Sequence, residues 1–198
     1  MFQPRAWFLA LLVLTAAASR LVPHPPNFAP MTALALFGAA TFRGRWAAWL
    51  VPVGALLFSD TLLHFTHQWG WQASWGFYPG QWVVYACLVA TTGIGFALRG
   101  RRTVANVAAA TLAGSSLFFL VTNFAVWAGG SGGMYPKSAA GLLLCYEMAV
   151  PFFRNALLGD ACYAALLFGT LALAEAKAPA LRARTPLGPA VAPASPPA

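Results

Sequence analysis

A proline-locked break between two apolar runs constrains this chain more than any other feature. The stretch from Arg20 to Ala40 reads RLVPHPPNFAPMTALALFGAA, with prolines at positions 23, 25, 26 and 30. Proline has no backbone donor and pushes the residue before it out of helical geometry, so one helix must end here. The apolar runs on either side are just long enough to enter a bilayer. The break therefore predicts an ordered hairpin between two membrane helices, with Arg20, His24 and Asn27 at one membrane face.

Composition sets the solvent. Of 198 residues, 60% are hydrophobic and 8% charged, against about 25% charged in a soluble domain. Most of the surface must face lipid. The formal charge of +8 does not point to nucleic acid, because the basic residues sit in short clusters between apolar runs. FRGR (Phe42–Arg45) and RGRR (Arg99–Arg102) are the clearest of them, and this is the positive-inside pattern of a membrane protein. Cys87, Cys145 and Cys162 are widely spaced in apolar sequence, without CxxC or Cys/His metal spacing, and read as small hydrophobes.

The predicted fold class is an all-α integral membrane protein of about six transmembrane helices. The segments run from about Phe2 to Val22, Phe28 to Phe42, Trp46 to Phe65, Gln81 to Leu98, Thr103 to Ala128 and Phe152 to Leu173. The second is short against the roughly 20 residues of a full span. The first also carries the three regions of a signal peptide, Arg5, an apolar core and Ala16-Ala17-Ala18. A retained helix is the preferred reading, because another membrane segment follows it. Residues 1–175 form the transmembrane domain, and the Ala/Pro/Arg-rich 176–198 reads as a disordered cytoplasmic tail.

With the N-terminus inside, one face receives nine basic residues, among them Arg5, Arg43, Arg45, Arg182 and Arg184, and the other receives Arg20, Lys137 and Arg154. That bias places both termini in the cytoplasm. The outer loop Thr66 to Gly80 is uncharged and carries Trp69, Trp71, Trp75, Phe77 and Tyr78. It reads as an interfacial aromatic belt or as a lid over an outward pocket. The second outer connection opens with GGSGG. It continues as a short amphipathic stretch, Ala139 to Val150, before Pro151 begins the last helix.

Charged and amide groups inside a membrane segment are costly and point to a functional site. Asp60, Asn123, Arg154, Asn155 and Asp160 are such groups, and the assigned topology puts all of them in the outer half of the bilayer. Arg20, His24, Asn27, His64, Tyr135 and Glu147 lie at the outer connections beside them. The competing reading pairs Asp60 and Asp160 with Arg20 and Arg154 as helix-fixing ion pairs. Asn123 and Trp127, four apart, put an amide and an indole on one helix face. Asp60, His64 and His67 offer a weaker alternative, a divalent metal site. Neither GxSxG nor HExxH occurs, and no Walker-type phosphate loop is present, so neither an enzyme nor a cofactor is expected.

Six short helices with both ends inside, tiny inner turns and a polar cluster under long outer loops resemble the substrate-binding S components of energy-coupling-factor (ECF) vitamin transporters. The stretches RLVPHPPNFAPMTALALFGAA, LLFSDTLLH around Asp60 and FFRNALLGDACYAALLFG (Phe152–Gly169) look like an uncharacterised bacterial membrane protein family allied to them, over about Ala6 to Ala174. The resemblance implies capture of a vitamin-like small molecule at the outer face of the bacterial cytoplasmic membrane. It also implies uptake through an ECF-type scaffold and ATPase subunits. Arg20 and Arg154 would pair anionic groups and Asn27, Asn123 and Asn155 would read polar edges. Trp127 would stack, with Tyr135, Asp60 and Asp160 shaping the pocket. Ala6 and Ala10 match the small-xxx-small docking pattern of the first helix in S components. The histidine-bearing N-terminus of the cobalt/nickel subclass is missing. A non-transporting scaffold, whose polar residues only orient helices, is the alternative.

Overall fold

The computed structural model describes residues 4–70, 76–130 and 133–183, and the described residues form helices and turns without a strand. The helices are α1 (Pro4–Ala18), α2 (Met31–Thr41), α3 (Arg45–Gln68), α4 (Gln81–Gly95), α5 (Val104–Ala128) and α6 (Ala139–Lys177). Single 3-10 turns extend α1 and α4, over Ser19–Leu21 and Phe96–Leu98. Every helix except α2 is long and apolar enough to cross a membrane. Large apolar side chains such as Trp46, Leu50, Leu112 and Leu166 lie on the outer surface, where lipid replaces water as their solvent. The chain is a multi-pass membrane protein.

The short second segment has a different role from the one its hydropathy predicts. Nine of the eleven residues of α2 are buried, and it packs against each of the other five helices. At 1.5 Å per residue it covers about 16 Å, roughly half of a 30 Å hydrocarbon core. The crossing is completed by the irregular stretch 22–30, which descends from one face to meet it. Non-helical backbone at membrane depth must be buried in protein or line a cavity. Here it does both. At Gly159 of α6 an added Cβ would stand 3.1 Å from the Ala29 amide nitrogen and from Phe28 Cα, so any larger residue would push the segment away by a few tenths of an ångström. Asn155 Nδ2 donates to Pro26 O at 3.1 Å and ties the same segment to α6.

A second difference concerns Pro151. It does not begin a helix but lies inside α6, which runs unbroken for 39 residues. The missing rung costs about 3 kcal/mol, and burial of Gly141, Cys145 and Ala149 offsets it. Ser115 meets Asp160 and Asn123 meets Cys145. Between these contacts α5 advances about 12 Å and α6 about 22 Å. The N-terminal part of α6 therefore crosses α5 obliquely, and Pro151 lies in that stretch.

The basic clusters gather at one end of the bundle. Arg5 Nη1 is 2.6 Å from Glu175 Oε1, and Arg102 reaches the same carboxylate at 3.4 Å. Arg182 Nε donates to Glu175 O at 2.8 Å, and Arg5 also donates to Leu181 O. These bonds carry ordered structure past residue 175, into the start of the expected tail. The remainder of that tail, 184–198, lies outside the described residues. So do Trp71 and Trp75 of the aromatic loop and Ser131 and Gly132 of the GGSGG turn.

Candidate functional site

The half-length α2 has no side-chain cap of its own; Pro30 precedes it and offers none. Helix ends leave backbone N–H and C=O groups without partners, and inside a membrane protein these need satisfying. Asp160 of α6 supplies one end: its Oδ1 accepts from the Thr32 and Ala33 amides at 3.0 and 3.3 Å. Ser115 Oγ donates to Oδ2 at 2.8 Å. Arg99 supplies the other end, donating to Ala39 O at 2.8 Å and Phe42 O at 2.9 Å. An anion at the N-terminus and a cation at the C-terminus also match the helix dipole. The role of Asp160 is thus to cap a neighbouring helix, and the expected Arg154–Asp160 pair does not form. Arg154 is exposed on the far side of α6.

Asp60 is the centre of a second network. Only 1% exposed, it accepts from Arg20 Nη1 at 2.5 Å, Gln81 Nε2 at 2.6 Å and the Tyr85 hydroxyl at 2.6 Å. Arg20 also donates to Ser59 Oγ at 2.5 Å. Here the helix-fixing ion pair does form, and it joins the end of α1 to α3 and α4. Gln81 Nε2 further donates to Gly76 O at 3.0 Å and its Oε1 accepts from Tyr78 N at 3.3 Å. The end of the aromatic loop is thereby drawn over this network.

Two cavities lie between these networks and the end opposite the basic clusters. The larger, about 710 Å³, is walled by α4, α5 and α6, with Phe118, Phe119 and Phe153 prominent. Its rim carries Pro79, Gly80 and Gly129 from the helix ends. The smaller, about 130 Å³, lies against Arg20, Asp60 and Asp160. Asn27, Tyr78, Val84, Phe118 and Ala156 line both, so the smaller is a polar annex of the larger.

The cavities sort the sequence candidates. Asn27 and Asn123 line the larger cavity, and Arg20, Asn27, Asp60 and Asp160 line the annex. Trp127, Tyr135, Arg154 and Asn155 line neither. Trp127 is held elsewhere, its Nε1 donating to Pro136 O at 2.9 Å with Lys137 Nζ 5.2 Å from the ring centre. That lysine donates to Trp127 O and, at 2.7 Å, to Ala128 O, closing the end of α5. The metal alternative is not met, since no three His, Cys, Asp or Glu groups come together among the described residues. His64 instead contacts Gln68 at 3.0 Å. Ala6 is exposed and Ala10 half-buried, on an α1 surface shared with the exposed Trp7, Leu11 and Leu14.

Gln81, Tyr85, Ser115 and Arg99 do not stand out in the sequence as site residues, and Tyr78 reads only as part of an aromatic group. Gln81 and Tyr85 are four apart at the start of α4 and must share a face, a signal that was available. The capping role of Arg99 has no comparable signature.

An interior half-helix capped by its neighbours, inside a bundle with a cavity at one end, defines a multi-pass α-helical membrane protein built around a pocket. The chain belongs to the family of unknown function DUF6580, whose model matches residues 1–181. No curated protein and no solved structure matches it.

Proposed function

We propose that this chain is an S-component-like binding subunit of the bacterial cytoplasmic membrane. It captures a small, vitamin-like molecule from outside for uptake. The observation that carries the reading is the cavity of about 710 Å³ at the end opposite the basic clusters. Its size is that of a small-molecule site, and the positive-inside bias turns its mouth outward. Energy comes from partner subunits of the ECF type, because the chain has no phosphate-binding loop. The α1 surface that carries exposed Ala6 and half-buried Ala10 beside Trp7, Leu11 and Leu14 is the docking face for such a scaffold.

Comparing the spent medium of the host with that of a deletion strain tests this. The expected result is a compound that the host depletes and the deletion strain leaves behind. Depletion returns with the intact chain but not with Ala156→Trp or Ala125→Trp, which fill the cavity from its annex and its wall. Equal depletion by all strains counts against uptake.

A second reading, the non-transporting scaffold, is favoured by one observation. Asp60 and Asp160 are bonded to protein groups through both oxygens, as expected of residues that only orient helices. It requires that both cavity-filling variants behave as wild type in every assay.

A further inference from the structure

The charge of the captured molecule can be read from its container, and this inference rests on the binding reading above. We propose that the ligand is electroneutral, a flat aromatic compound whose polar edge is read by the Asn27 amide and the Tyr78 hydroxyl.

Among the described residues, none that lines the larger cavity is Lys, Arg, His, Asp or Glu. In the annex Arg20 is paired with Asp60, and both oxygens of Asp160, which faces the positive end of the α2 dipole, are taken up by the α2 amides and Ser115. An anion entering this space would lose hydration without meeting a free cation, and a cation would meet only the Asp160 carboxylate, whose oxygens are already hydrogen-bonded. Burying a poorly paired ion is heavily penalised. The expectation that Arg20 and Arg154 pair an anion therefore has no support in the geometry. Arg20 is already neutralised and Arg154 lies outside the cavity.

Neutral hydrogen-bonding groups, by contrast, stand free where the two spaces meet. Asn27 and Tyr78 line both cavities, and neither the Asn27 amide nor the Tyr78 hydroxyl bonds to another described residue. Asn27 is also the one non-glycine described residue with positive φ, at 63°. That conformation is uncommon for most residues with a Cβ, and asparagine is among those that adopt it most readily. Burial, with a smaller contribution from Asp60, pushes the Tyr78 phenol above its ordinary value of 10.0. It remains an uncharged donor at physiological pH. Asn123 uses Nδ2 on Phe119 O at 2.8 Å, which leaves its Oδ1 as an acceptor in the larger cavity. Around these groups the walls are aromatic, from Trp82, Phe118, Phe119, Phe152 and Phe153, and such faces stack flat rings.

Three probes sharing one ring system test the proposal: naphthalenemethanol, naphthoate and naphthylmethylammonium, neutral, anionic and cationic in turn. Binding is measured to the full chain in phosphatidylcholine nanodiscs, with partition into empty discs subtracted. The neutral probe is expected to bind at least about tenfold more tightly than either ion. Tyr78→Phe and Asn27→Gly should each weaken it by roughly three- to tenfold, the worth of one hydrogen bond, since both side chains are exposed before the ligand covers them. Glycine is chosen because it deletes the amide yet accepts the positive φ. If an ion binds as well as the neutral probe, or neither variant matters, while Ala156→Trp still blocks binding, the neutral-ligand proposal fails and the binding reading survives. If all three probes bind wild type no better than Ala156→Trp, both fail.

Discussion

Replacing Asp160 with alanine should destabilise the bundle through α2, a helix that Asp160 does not belong to. The carboxylate is 3% exposed and is the partner of the Thr32 and Ala33 amides. Alanine strands two buried N–H groups at about 1–3 kcal/mol each, so the loss is about 2–6 kcal/mol. At roughly 2–4 °C per kcal/mol for a chain of this size, the melting temperature falls by on the order of 5–20 °C. Asparagine keeps an oxygen for both amides and turns its NH₂ to Ser115 Oγ. It forfeits only the charge assistance, about 1 kcal/mol. The assay is thermal unfolding read by a fluorogenic maleimide. Cys87 and Cys145 are buried and react on unfolding, and Cys162, exposed on the spanning helix α6, is replaced by alanine so that it adds no signal. An Asp160→Ala protein that melts within about 2 °C of wild type would refute the capping argument, because two orphaned amides cost more than that.

Other substitutions probe the rest of the framework by the same assay. Arg20→Ala leaves Asp60 buried without its cation and should cost about 3–5 kcal/mol. Arg20→Met combined with Asp60→Asn should recover most of that loss, whereas additive losses would mean the two residues act separately. Arg99→Ala exposes the Ala39 and Phe42 carbonyls and should cost about 1–3 kcal/mol. Arg99→Lys, with one donor centre in place of a fork, should fall between alanine and wild type.

Hydropathy located the long helices well. The expected third and fifth segments, Trp46 to Phe65 and Thr103 to Ala128, lie within a few residues of α3 and α5. Lipid-facing helices are apolar because of their solvent, and that is visible in any window. The depth of α2 was not visible, because a helix enclosed by protein and one enclosed by lipid are both apolar all round. Pro151 misled for a related reason. A helix break is a local preference, and packing of the preceding residues against α5 overrides it. The polar residues divide in the same way. Asp60 and Asp160 stood out as costly groups in apolar sequence, but their partners are distant in the chain. Thr32 and Ala33 meet Asp160 through backbone amides, which no side-chain pattern records. One clue was present: α2 follows a proline and lacks a capping residue, so its first turn had to find an acceptor elsewhere.

The most direct test of the binding claim is native mass spectrometry of the chain gently extracted from its host membrane. The expected result is a co-purifying small molecule, uncharged at neutral pH. It should be retained by Asp160→Asn, reduced by Tyr78→Phe and absent from Ala156→Trp. A protein that leaves the membrane without any small molecule, but bound to another membrane subunit in wild type and Ala156→Trp alike, would contradict the claim in favour of a scaffold.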